Sequence, residues 1–118
     1  MTGAVIPAGQ GNPELEVIER ERFYDSEIAP ALADLARRCE QCGLSFLALV
    51  EWDIGEVGST GVLQRARGPQ IDWANAAAHA RGNADTMIMH IMRQAEKSGH
   101  SSMCLNILGV PPTAKADR

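Results

Sequence analysis

Apolar positions along the chain follow two kinds of spacing, and their succession predicts a mixed fold. Ile28, Leu32, Leu35, Ala36 and Cys39 recur at three- and four-residue steps, the spacing that lines one face of a helix. Asp25 and Ser26 are candidate N-caps, with Glu27 in the first turn and Gly43 as the stop beyond the last turn. Pro30 then falls in the first turn, where its missing N–H costs little. The segment "LSFLALVEW", residues 44–52, is a continuous apolar run that suits a strand buried on both faces. "DIGEVGSTG", residues 53–61, reads as a glycine-punctuated loop, and "VLQRA", residues 62–66, as a partner strand.

After Gly68-Pro69 breaks the chain, residues 70–81 form an alanine-rich helical stretch. Gly82-Asn83 makes a turn, and Asn83 or Asp85 caps a further helix. Its Ala84, Met87, Ile88, Ile91, Met92 and Ala95 form one apolar stripe. "SSMCLNILGV", residues 101–110, reads as a last strand stopped by Pro111-Pro112. Residues 14–24 fit two patterns. Leu15, Val17 and Phe23 alternate, whereas Leu15, Ile18 and Arg22 follow helical spacing. The Glu16–Arg20 pair tips the reading to a short amphipathic helix.

The expected fold class is α/β (α+β), a single small domain over residues 14–110 with helices packed on a three-stranded sheet. A disordered tail is expected over residues 1–13 and a flexible one over residues 111–118. The expected core is Leu32, Leu35, Leu47, Leu49, Ile88, Ile91, Leu105 and Ile107.

Composition narrows the function classes. The chain has 118 residues, 45% hydrophobic but only 4% aromatic, so its core must be largely aliphatic. The net charge is −4 and the arginines are dispersed, so no basic patch offers itself to a nucleic acid. No apolar run approaches the ~20 residues that span a bilayer. Nor do the first residues have the basic and apolar regions of a secretion signal. Three cysteines, an odd number, fit reduced thiols better than a disulfide framework. The expectation is a cytoplasmic protein without a nucleic-acid or membrane partner.

Cys39-Glu40-Gln41-Cys42-Gly43 is the stretch with most chemical content. A redox pair needs thiolates, which a helix N-terminus stabilises. Here both cysteines fall in a last turn, where the dipole is unfavourable. A zinc site needs four ligands, and Cys39, Cys42, His100 and Cys104 could supply them. Yet residues 100 and 104 would lie about 12 Å or more apart in an extended strand, and a second tight ligand pair is missing. The remaining reading is that both cysteines end a helix and fill core, with no cofactor.

Other residues are weighed in the same way. Glu51 and Asp53 flank Trp52 at a strand end, spaced to point to one side, as a pair holding Mg²⁺ or acting as acid and base would. A solvated strand end explains them without function. Gly55, Gly58 and Gly61 lack the lysine of a phosphate-binding loop. His79 is isolated, and His90 falls opposite the apolar stripe, as a solvated residue would. Trp73 and Met89 fall off the apolar lines of their helices, with Arg93 one turn beyond Met89. Such residues anchor interfaces or form a second packing layer.

The blocks "LADLARRCEQCGLSFLALVEW" and "RGNADTMIMHIMRQAEKSGHSSMCLNILGVPP" resemble short accessory proteins of bacteriophages and prophages, over residues 26–112. The resemblance implies a cytoplasmic accessory role in infection or lysogeny and supplies no catalytic residue. The expected function is a non-catalytic protein-binding module acting on a host or phage protein through Trp73, Met89 and Arg93. A zinc-stabilised domain (Cys39, Cys42, His100, Cys104) and a metal-dependent hydrolase (Glu51, Asp53) are the alternatives.

Overall fold

The computed structural model describes Val5 and residues 16–117. The tail expected over residues 1–13 therefore lies, Val5 apart, outside the described residues. Helix α1 (Val17–Phe23) runs through a wide π-helical turn (Tyr24–Ile28) into α2 (Ala29–Gln41). The helix expected to start at Asp25 or Ser26 thus has no start there, and neither side chain caps it. Pro30 gives the reason for the wide turn. It has no N–H for the carbonyl of Ser26, and its ring crowds that carbonyl, so an ordinary α-turn cannot form. Widening the turn keeps the helix continuous.

Strands β1 (Phe46–Asp53) and β2 (Glu56–Val62) form an antiparallel hairpin, with Phe46 opposite Val62 and Glu51 opposite Val57. The register slips between Glu51 and Asp53. Among the described residues this two-stranded sheet is the only one, so the expected third strand is corrected. The second strand is also displaced from its expected place at residues 62–66, because the stretch read as a loop is itself β2. Its glycines were the misleading signal. Gly58 lies under the ring of Tyr24, with which any Cβ would collide, and a Cβ at Gly61 would meet the Phe46 carbonyl oxygen at 2.8 Å. Glycine in this strand marks close approach of a neighbour, not a flexible connection.

Helices α3 (Pro69–Ala80) and α4 (Ala84–Ser98) pack on each other as an antiparallel pair. Arg81 (φ 52°) and Gly82 (φ 81°) make the tight turn between them, and the Asn83 side chain accepts a hydrogen bond from the Thr86 N–H at 3.0 Å. The expected strand over residues 101–110 is instead the short helix α5 (Met103–Ile107). Ser102 Oγ accepts from the Leu105 N–H at 3.1 Å, an N-cap that starts the helix. His100 holds both ends of this segment. Its Nδ1 accepts from the Ser102 N–H at 3.0 Å, and its Nε2 lies 2.8 Å from the Val110 carbonyl oxygen. These partners assign the proton to Nε2. The short apolar run "MCLNIL" fits either element by periodicity, and the cap decides for the helix.

Among the described residues the buried ones are Tyr24, Ala76, Ala80, Ala95 and Val110. None of them is in the expected core. Leu32, Leu47, Ile91 and Leu105 are half-buried, whereas Leu35, Leu49, Ile88 and Ile107 are exposed, Ile107 at 77%. The reason is architectural. A single hairpin has too little area to cover every apolar helix face. Tyr24 stacks on Trp52, ring centroids 5.1 Å apart, so the chain's few aromatic residues carry more of the packing than its composition suggests.

Candidate interaction surfaces

The Cys39–Gly43 stretch is a helix stop. Leu44 N–H bonds to the Cys39 carbonyl at 2.8 Å and Gly43 N–H to the Glu40 carbonyl at 3.1 Å, with Gly43 at φ +73°. This is a Schellman motif, which uses glycine to reverse the chain and satisfy the last carbonyls of α2. The expected core role of the thiols does not follow. Cys39 is half-buried, and Cys42 and Cys104 are exposed. Among the described residues no three His, Cys, Asp or Glu side chains are grouped so as to hold a metal ion. His100 already uses both ring nitrogens in the turn that carries α5.

Glu51 and Asp53 take separate partners, on either side of the register slip. Glu51 accepts from the Gly55 N–H across the hairpin turn, at 3.4 Å. Asp53 faces the Arg20 guanidinium at 4.0 Å, while Arg20 Nε donates to the Trp52 carbonyl at 2.7 Å. Both carboxylates therefore brace the end of the hairpin, one across its turn and one against α1.

His79 Nδ1 lies 2.9 Å from the Asn75 carbonyl within α3. His90 is not the solvated residue its spacing predicts. It is half-buried, with Nε2 3.7 Å from Asp72 Oδ2 on α3. Asp72 also receives Arg67, whose nitrogen lies 2.9 Å from Oδ1.

Trp73, Met89 and Arg93 are all exposed, but on different sides. Trp73 lines a groove of about 560 Å³ together with Ile91, Ala95 and Ser98 of α4. Met89 and Arg93 sit nearly half a turn around α4 from that row, so they project away from the groove. Arg65 and Arg67 line it too. In the sequence they read as two of the dispersed charges. Their position immediately before Gly68-Pro69, which delivers both to the start of α3, is the signal that could have singled them out.

A second open surface lies on the hairpin. Phe46, Ala48, Val50 and Trp52 share the side that carries Tyr24. By strand alternation Leu47, Leu49 and Val57 turn to the other side. Leu49 is 48% exposed, Val57 47% and Ile54, in the turn, 93%. No helix among the described residues is long and apolar enough to cross a membrane. Compared with known protein families, curated proteins and solved structures, the chain matches none.

Proposed function

We propose that the chain is a non-catalytic protein-binding module, of the kind that accessory proteins of phages and prophages provide, and that a host or phage protein covers the outer face of its hairpin. One observation carries this reading. Leu49 and Val57 are diagonal neighbours on one sheet face, and each leaves about half its surface in water beside the fully open Ile54. Exposed apolar residues grouped on one face mark interaction sites more often than scattered ones do. The two-stranded sheet adds to it, since a hairpin of this size gains stability from whatever covers it.

The test is a paired measurement on Leu49→Ser/Val57→Ser, with capture of partners from a bacterial lysate beside the melting temperature. Truncated interface anchors lose about 2 kcal/mol or more of binding. Exposed positions change folding by about 0.5 kcal/mol or less. A folded variant that has lost a partner the parent protein captures supports the reading, and one that captures every partner of the parent contradicts it. Trp73→Ala and Met89→Ala, measured in parallel, decide whether the α3–α4 pair contributes a second contact.

A further inference from the structure

We infer that the groove beside α3 is a binding site for a small aromatic carboxylate, a proposal independent of the hairpin surface. Its volume of about 560 Å³ lies in the range of small-molecule sites, roughly 300–1,000 Å³. Its walls come from three separate parts of the chain: residues 65–73, the inward row of α4, and residues 98–105. The last part is held in place by the two ring hydrogen bonds of His100. Two of the three walls are therefore anchored, one by α4 itself and one by the His100 bonds.

Charge selects the ligand. Arg67 is taken up by Asp72 at 2.9 Å and by the Gln64 carbonyl at 3.0 Å. Arg65 has no hydrogen bond or ion pair with any described residue. Two guanidinium groups against one carboxylate leave one uncompensated positive charge, which suits a monoanion. A planar carboxylate group also matches the donor fork of an arginine. The rest of the lining asks for an apolar body. Trp73, Ile91 and Leu105 are among the residues that line it. An aromatic ring that stacks on Trp73 and carries a carboxylate toward Arg65 satisfies both demands.

The experiment is calorimetric titration of the full chain with 2-naphthoate and, separately, with its neutral amide. Saturable one-to-one binding is expected, weakened about tenfold by Arg65→Gln or by exchange of carboxylate for amide, the scale of a lost charge-assisted bond. Trp73→Ala should weaken it several-fold and Met89→Ala should leave it unchanged. Circular dichroism of each variant checks its fold, and if Trp73→Ala unfolds, Arg65→Gln and the amide decide. Absence of binding at millimolar naphthoate, equal affinity for the amide, or indifference to Arg65→Gln would overturn the proposal.

Discussion

In the helix–hairpin half of the molecule, residues 17–62, a large ring packs on a residue with no side chain, Tyr24 on Gly58. In the helical half, residues 69–110, the buried positions of α3 and α4 are alanines, Ala76, Ala80 and Ala95, and Val110 is buried after α5. The first half depends on one bulky group and the space left for it. The second buries small residues of two helices that pack on each other. The two solutions fail in opposite ways. One is sensitive to removing volume from the ring or adding it beneath, and the other to adding volume between helices.

That difference orders the expected effects. Tyr24→Ala removes the only large buried side chain of its half and its stacking on Trp52, and should cost about 3–5 kcal/mol by denaturant unfolding, the range for truncated aromatic residues. Gly58→Val, which forces a side chain into the ring, should destabilise similarly, while Tyr24→Phe should be nearly neutral. A mild Tyr24→Ala would place the packing of this half elsewhere. In the helical half, Ala80→Leu should cost about 1–3 kcal/mol through overpacking, with no such penalty at exposed Ala77. His100→Ala removes both ring hydrogen bonds around α5 and should cost about 1–3 kcal/mol, at ~0.5–1.5 for each bond. Hydrogen exchange should show faster exchange of the Ser102 and Leu105 amides in that variant. The smallest effect belongs to the hairpin carboxylates. Glu51→Gln and Asp53→Asn should each shift stability by about 0.5 kcal/mol or less, since their partners are exposed.

The pattern of apolar residues made the helices legible. The spacing of Leu32, Leu35 and Cys39, the stop at Gly43 and the cap at Asn83 each have the predicted consequence. The hairpin was half legible. β1 is visible as an apolar run, but β2 is hidden because Gly58 and Gly61 are selected by Tyr24 and Phe46, distant in sequence. Residues 101–110 are not legible as a helix because a short apolar run carries no period of its own, and a single serine cap settles its geometry. The expected core failed for a different reason. Periodicity identifies the apolar side of a helix, but not whether the molecule has anything to lay against it. Leu35 and Ile88 are on apolar stripes and exposed nonetheless. Of the candidate site residues, exposure was legible for Trp73 and Met89. Their separation onto opposite sides of α4 depends on how α3 docks, which no local pattern encodes.

We propose the hairpin's open apolar face as a surface for a partner, not misplaced core. The most direct measurement compares the melting temperature of Leu49→Ser/Val57→Ser with its retention of partners from a bacterial lysate, each against the parent protein. The expected result is a melting temperature within a few degrees of the parent and loss of at least one partner. A variant that unfolds would show that these side chains are buried in the working protein, and a folded variant with every partner retained would contradict the claim.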